Sequence, residues 1–314
     1  VQEHALHIPV MLDESTAYLV RDKKGIYVDA TLGMGGYSRR ILDSLDQEGR
    51  VYGFDVDDDA LREARENLKD YSNFEAVESN FSRIKVQLAA RGIRQISGIV
   101  FDLGVSSLML DRADKGFSYR EDGPLDMRMD HQLSVTAADI VNHFDKEDLA
   151  RVFRDYGEER QSSRIAARIV KQRQSKPFSR TAELTDLIRK LVPEPYTNKS
   201  LSRIFQALRI EVNHELTVLE NALQQSVELL AEGGRLVVVS YHSLEDRIVK
   251  SLFREESTNC ICPSAQPVCT CSHRARLKLL NRRSIRPGDE EQDLNRRSRS
   301  ARMRVAEKLG EDAQ

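Results

Sequence analysis

The sequence predicts an α/β fold, a Rossmann-like parallel sheet interrupted by an inserted all-helical domain, and three observations predict it. First, the runs Ile26 to Thr31, Val51 to Val56, Phe74 to Val77, Gly98 to Leu103 and Arg235 to Tyr241 are rich in Val, Ile and aromatics. Most are continuously apolar rather than alternating, as strands covered on both faces must be. Second, helix-period stretches at Tyr37 to Leu45, Asp59 to Lys69 and Ser82 to Arg91 separate the first four runs. Strand alternating with helix makes a parallel sheet. Third, from about Leu110 to Leu201 only helical patterns remain: Lys146 to Tyr156, Arg160 to Gln174 and Thr181 to Leu191. The last carries Glu183 in its first turn, where an acid complements the helix dipole.

The expected division follows: residues 1–109 form the first part of the sheet domain, 110–212 a helical substrate-recognition insert, and 213–314 the rest of the sheet domain. A helical pattern from Leu201 to Leu230, ended by Gly233 and Gly234, returns the chain to the strand at Arg235. Beyond it come a helix from Leu244 to Glu255, with Ser243 as its N-cap and Asp246 completing the box, then a cysteine cluster. Two apolar segments, Leu277 to Leu280 and Arg302 to Ala306, are expected to close the sheet as basic C-terminal strands in a hairpin. Between them Arg286 to Glu291 (RPGDEE) has the turn residues and charge of a mobile loop.

With 314 residues, 31% charged and 40% hydrophobic, and a net charge of −2, the chain reads as an ordinary globular protein able to bury a large core. The balance is uneven. Arg282, Arg283, Arg286, Arg296, Arg297, Arg299, Arg302 and Arg304 crowd the C-terminal region and predict a local basic surface. No apolar run approaches the roughly 20 residues that span a bilayer. The first residues lack the basic segment and apolar core of a signal peptide, so the expectation is a cytoplasmic protein with no membrane partner. The four cysteines fall within one short stretch, unlike a secreted disulfide framework.

The chemistry begins at Asp29 to Gly36 (DATLGMGG), where the first strand turns into its helix. Glycines there let the backbone approach a ligand, although any tight strand-to-helix connection wants them too. Asp55 ends the second strand twenty residues after Gly35, a spacing at which a carboxylate can accept from both ribose hydroxyls of an adenosine cofactor. NAD and S-adenosylmethionine both satisfy these features. Asp29 decides between them, because an acid on the strand suits a sulfonium and an amino group and repels a pyrophosphate. A class I S-adenosylmethionine methyltransferase sheet is therefore expected.

The fourth strand ends in Asp102 to Ser107 (DLGVSS), at the sheet edge where ligands bind in open α/β folds. A carboxylate at Asp102 would orient an amine nucleophile for in-line attack on the methyl group; capping the next turn is its ordinary role. Two polar clusters are dense, Asp122 to Asp130 (DGPLDMRMD) and Ser240 to Arg247 (SYHSLEDR). His242, at a strand's carboxyl end, is a candidate to contact the target base or relay its proton, while a single His is more often a structural hydrogen-bonder.

These residues, together with His7 to Glu14 (HIPVMLDE), Asp29 to Ser38 (DATLGMGGYS), Arg112 through Gly116 to Ser118, Tyr156 to Arg160 (YGEER) and Arg203 to Asn213, resemble the ribosomal small-subunit RNA methyltransferase H family (RsmH/MraW). The resemblance runs almost end to end. It implies N4 methylation of a cytidine in the decoding centre (P-site region) of 16S rRNA, with S-adenosylmethionine as donor and the small ribosomal subunit as partner. Carried over by position, it implies cofactor contacts at Gly35, Gly36, Tyr37, Asp55, Phe81, Asp102 and Met109. Phe81 would pack near the adenine and Tyr37 would line the turn. Met109 stands where the family pattern reads Gln, which leaves a backbone or apolar contact there.

Arg160, Arg164, Arg168, Lys171, Arg173, Arg203 and Arg209 are candidates to hold RNA phosphates while the target base is unstacked. Arg164, Arg168 and Lys171 recur on one helix face, which is also how a solvated side reads. Cys260, Cys262, Cys269 and Cys271 form C-x-C-x6-C-x-C. Four thiolates suit a structural zinc ion, yet the spacing is tighter than the usual two to four intervening residues, and reduced loop cysteines are the other reading; no metal is firmly assigned. Three competing functions share these features: an NAD-linked oxidoreductase, a methyltransferase acting on DNA or protein, and a non-catalytic RNA-binding assembly factor. Homodimerisation is left open by the sequence.

Overall fold

A computed structural model describes residues 9–105, 109, 112–263, 266 and 268–310, side chains of 296 and 297 excepted. His7, Ile8, Ser106 and Ser107 of the quoted motifs lie outside the described residues. The chain divides into two compact units, Val1–Gly104 with Leu216–Gln314, and Val105–Glu215. The boundaries expected from sequence were 109/110 and 212/213.

The first unit is a seven-stranded sheet in the order β3-β2-β1-β4-β5-β7-β6. Strands β1 (Ile26–Asp29), β2 (Arg50–Asp55), β3 (Phe74–Glu78), β4 (Ile96–Asp102) and β5 (Leu230–Ser240) are parallel. β7 (Arg302–Lys308) runs antiparallel between β5 and β6 (Leu277–Leu279). This is a class I methyltransferase sheet, and its last two strands pair as the expected hairpin. Around it the chain forms α1 (Leu12–Leu19), α2 (Gly36–Leu42), α3 (Asp58–Asn67) and α4 (Ile84–Ala89), the last entered through a 3-10 turn at Phe81–Arg83.

Successive side chains of a strand point to opposite faces, and here both faces are buried. Ile99, Phe101, Leu236 and Val238 pack on one side with Phe54, while Val100, Val237 and Val239 pack on the other with Tyr27, Met303 and Val305. That double burial is why these strands read as unbroken apolar runs. Strand order reverses at β1, which has β2 on one side and β4 on the other. The carboxyl ends of β1 and β4 therefore flank the switch point, where a crevice for ligands opens in folds of this kind.

The second unit is helical: α5 (Ala137–His143), α6 (Lys146–Asp155), α7 (Ser162–Arg173), α8 (Thr181–Leu191) and α9 (Thr197–Asn213). They enclose a core that includes Phe153, Ile165, Ile169, Ile188, Ile204 and Leu208. The polar segment 122–130 braces this unit from within. The Thr181 amide donates to the Gly123 carbonyl and the Gly123 amide to Thr181 Oγ1, the Leu125 amide donates to the Ser179 carbonyl, and the Asp126 carboxylate holds Arg128 at 2.7 Å. Asn213, 8% exposed, accepts from the Met129 amide at 2.8 Å and donates to the Met127 carbonyl at 2.8 Å. It thereby holds Met127 in the left-handed conformation, at φ 63°.

Three sequence expectations need correction. The single helix expected over Leu201 to Leu230 is two, α9 and α10 (Glu215–Leu229), because His214 adopts φ 50° and stops the first. Gly233 and Gly234 do not end a helix. They lie inside β5, where Gly233 at φ 74° accommodates a register shift against β4 between Ile96 and Gly98. The segment expected as a mobile loop contains the start of α12 (Asp289–Leu294), whose first turn carries Asp289, Glu290 and Glu291. Acids there oppose the positive end of the helix dipole. Among the described residues, no helix is long and apolar enough to cross a membrane.

Replacing Asn213 with Ala would leave a buried amide and a buried carbonyl without partners. The expected cost is about 1–3 kcal/mol of stability, read as a lower denaturant midpoint in equilibrium unfolding; an unchanged midpoint would contradict the brace.

Candidate active site

The site of the first unit is built where β1, β2, β4 and β5 end. Carbonyls near the ends of β4, β2 and β5 take amides from the loop that follows a neighbouring strand: Ala30 donates to the Val100 carbonyl, Leu32 to Phe54 and Leu103 to Val239, each at 2.9 Å. The loops are thus fixed by the ladder rather than free. In the first, Gly35 sits at φ 87° and an added Cβ would meet Leu68 Cδ1 at 2.8 Å; at Gly36 it would meet Pro9 Cγ at 2.5 Å. Both glycines have a packing reason that needs no ligand.

Asp29 is fully buried. Its Oδ2 accepts from the Ser38 hydroxyl at 2.8 Å and its Oδ1 from the Thr31 amide at 3.2 Å. Burial pushes its carboxyl up to about 6, against the pull of those donors. Asp102 follows the same pattern on the neighbouring strand. The Tyr241 hydroxyl donates to its Oδ1 at 2.6 Å, and its own amide donates to Thr31 Oγ1 at 2.7 Å. Burial raises it to about 7; Tyr241 opposes that shift, and the nearby charges of Asp29, Glu245 and Glu291 add to it. Among the described residues no Lys or Arg forms an ion pair with Asp29 or Asp102.

Asp55 sits at the end of β2 and accepts three amides, from Gly33 at 2.8 Å, Val56 at 2.8 Å and Asp57 at 3.0 Å. Its pKa is raised by burial in spite of them. Oδ1 takes two of these amides and Oδ2 one, so Oδ2 keeps a further lone pair for an outside donor. Phe81, in the turn after β3, packs edge-on against Phe101 with centroids 5.7 Å apart. The loop after β1 touches all three acidic residues, with the Gly33 amide on the Asp55 carboxylate, the Thr31 amide on the Asp29 carboxylate and the Thr31 hydroxyl accepting the Asp102 backbone amide.

Other expected residues are placed differently. Tyr37 is buried in the core beside α1, and its hydroxyl donates to the Val10 carbonyl at 2.5 Å. Met109 belongs to the helical unit, buried in that unit's core cluster. His242, not Ser243, is the N-cap of α11 (Ser243–Glu256), and the reciprocal partner is Glu245 rather than Asp246. The reason is register: the strand runs on to Ser240, and the Glu245 carboxylate takes the Tyr241 and His242 amides at 2.8 and 3.2 Å. His242 Nδ1 accepts from the Glu245 amide at 3.4 Å. Its Nε2 lies 3.1 Å from Glu245 Oε1 but is misaligned for a hydrogen bond, and it stays buried without a partner among the described residues.

Two groups escaped the sequence reading. Tyr241 stood in a quoted motif, yet nothing in the sequence showed its hydroxyl reaching a strand end 139 residues away. Glu291 lay in the supposed loop; it accepts the Met11 amide at 2.7 Å and adds negative charge near Asp102. The basic residues also sort themselves. Arg173 is spent on the Val141 and Phe144 carbonyls, Arg209 on Glu215 and Arg304 on Asp246, whereas Arg160, Arg164, Arg168 and Lys171 are exposed.

Asp29 and Asp102 have folded-state pKa values of about 6 and about 7, above the ordinary 3.8. The folded protein then holds more protons than the unfolded chain between those limits, so their contribution is fully present below about 4 and is lost as pH rises through 6 and 7. Asp102→Asn is expected to gain thermal stability relative to the wild type as pH rises from 4 to 8, in ligand-free protein. A constant difference across that range would show that Asp102 is not held at a raised pKa.

A sequence model described as the MraW methylase family matches residues 4–309. The chain is 49% identical over 304 residues to the ribosomal RNA small subunit methyltransferase H of Caldicellulosiruptor saccharolyticus, covering 96% of this chain and 99% of that protein. It is 46% identical over 304 residues to the protein of the same name from Caldicellulosiruptor bescii, again with 96% and 99% covered.

Proposed function

The chain belongs to the MraW methylase family, and from that premise we propose that it transfers a methyl group from S-adenosylmethionine to N4 of a cytidine in the decoding centre of 16S rRNA, in the cytoplasm. One observation carries the chemistry: a fully buried Asp29 and a half-buried Asp102 stand on adjacent strands at the switch point with no basic ion-pair partner among the described residues. Placing uncompensated carboxylates in a low-dielectric site is costly. A ligand with positive charge, such as a sulfonium bearing an ammonium group, relieves that cost. The substrate is carried by the family and by the names of the relatives.

In this reading Asp55 accepts the ribose hydroxyls, Phe81 lies against the adenine, and the main chain at Gly35 and Gly36 borders the methionine part. When bound, S-adenosylmethionine supplies an electrophilic methyl group. Asp102 accepts a hydrogen from the exocyclic amine and so aims the nitrogen lone pair at that carbon. The new bond is N4 to methyl carbon, the broken one sulfur to methyl carbon, and one proton leaves N4. With a pKa of about 7, Asp102 is matched to take that proton near neutral pH. Tyr241 positions it through the 2.6 Å hydrogen bond. His242 is a positioning residue that holds the start of α11. The exposed Arg160, Arg164, Arg168 and Lys171 offer phosphate contacts for the RNA.

The decisive experiment is mass spectrometry of nuclease fragments of 16S rRNA, naked or in small subunits that lack the modification, after incubation with enzyme and donor. One added methyl on a decoding-centre cytidine, with none on duplex DNA, is expected; methylation at carbon, on another base or not at all would sink the proposal. Asp102→Ala should lower kcat about 10²–10⁴-fold, the usual worth of a positioned base.

His242→Asn separates capping from proton relay, because Asn caps well and lacks the imidazole. We expect kcat within about tenfold of wild type; a loss on the scale of a missing base would instead make His242 a catalytic residue.

A further inference from the structure

The cysteine cluster plays no part in methyl transfer as described above. The segment that carries it joins α11 to β6 and contains no helix or strand among its described residues. Its two ends are well fixed. The Ala275 amide donates to Asn259 Oδ1 at 3.0 Å, the Arg276 amide to the Glu256 carbonyl at 2.7 Å, and the Arg276 guanidinium pairs with the Glu256 carboxylate at 2.5 Å. Between those anchors it has no hydrophobic core of its own: Ile261 is 47% exposed and Val268 68% exposed. A short segment without a core needs another kind of staple to hold one conformation.

The four thiols converge all the same. Their Sγ atoms all lie within 4.8 Å of one another. Cys269 and Cys271 are 3.6 Å apart at sulfur, Cys271 and Cys260 4.0 Å apart, and none is joined in a disulfide. Four thiolates around zinc at about 2.3 Å form a tetrahedron whose sulfur-to-sulfur edge is about 3.8 Å. The two close separations bracket that edge. A supporting backbone contact is also in place, with the Ile261 amide donating to Cys271 Sγ at 3.5 Å, the kind of outer contact that steadies a metal-bound thiolate. The tight C-x-C spacing, which argued against a site in the sequence, does not keep the sulfurs from converging.

We propose that Cys260, Cys262, Cys269 and Cys271 bind one structural zinc ion that staples the segment between α11 and β6. A closed set of four protein ligands leaves no position for water, so the ion is structural rather than catalytic. On binding, each thiol gives its proton to solvent and its sulfur lone pair to the metal, with no change of oxidation state. Soft thiolate ligands in a tetrahedron select zinc over magnesium, calcium or manganese. The ligand set is also one that iron can occupy, so the metal's identity is part of the test.

The test uses the full-length protein, purified under a phosphine reductant without chelator and without added metal. Elemental analysis should find about one zinc per chain, and Cys260→Ser combined with Cys271→Ser should reduce it to under about a tenth of an equivalent. Because that variant can misfold for unrelated reasons, a second measurement is made on wild type. After the metal is stripped by an organomercurial and thiols are restored, added cobalt(II) should give the intense thiolate-to-metal absorption and visible bands of a tetrahedral all-sulfur site. The proposal is overturned by under about a tenth of an equivalent of zinc together with no such absorption, by stoichiometric iron in place of zinc, or by two disulfides in the intact mass. None of these readouts depends on methyl transfer, so failure here leaves the methyltransferase reading untouched.

Discussion

Two carboxylates, a fully buried Asp29 and a half-buried Asp102, stand at the carboxyl ends of the adjacent strands β1 and β4, and much of the first unit's local structure exists to tolerate them. Hydrogen bonds do that work in place of cations. Ser38 and the Thr31 amide serve Asp29, Tyr241 serves Asp102, and the Thr31 hydroxyl takes the Asp102 amide. The bonds lower the cost of burial without removing it, which is why both groups remain raised to about 6 and about 7. Perturbed acids gathered at a strand-end crevice are what a functional site looks like in physical terms.

The polar motifs of this chain divide by what their side chains touch. DATLGMGG and the ends of β2 and β4 lie together at the carboxyl edge of the sheet. By contrast, DGPLDMRMD is an internal brace, whose backbone is tied to Thr181, Ser179, Asn213 and Lys115. SYHSLEDR does both, since Tyr241 reaches Asp102 while His242, Glu245 and Asp246 hold α11 and β7. Density of polar residues alone therefore did not separate function from support. The partner of each side chain did.

Basic residues show the same division. Charge counting along the C-terminal region suggested a cationic surface, and Arg282, Arg283, Arg286, Arg299 and Arg302 are exposed, whereas Arg304 is bound to Asp246 and, outside that group, Arg235 to Glu307. Pairs of that kind hold the β5–β7 part of the sheet together and contribute little free charge. In the helical unit the stripe on α7 remains exposed, and Arg173 at its end turns inward to two carbonyls.

The sequence by itself determined the sheet class, the place of the helical insert, and the positions of Gly35, Asp55 and Asp102, because these depend on local periodicity and on spacing along one strand-helix unit. Apolar runs buried on both faces, a glycine turn and an acid twenty residues on are all short-range features. Tertiary structure decided what short-range pattern cannot encode. It joined Tyr241 to Asp102 across 139 residues, placed Glu291 beside them, sent the Tyr37 ring into the core, and put Met109 in the helical unit. It broke one long helical pattern at His214, where the backbone turns left-handed, and drew four closely spaced cysteines into a cluster. Hydrogen-bond partners and burial belong to the folded chain. For that reason the sequence located the acids, and only the fold showed that they have no basic ion-pair partner among the described residues.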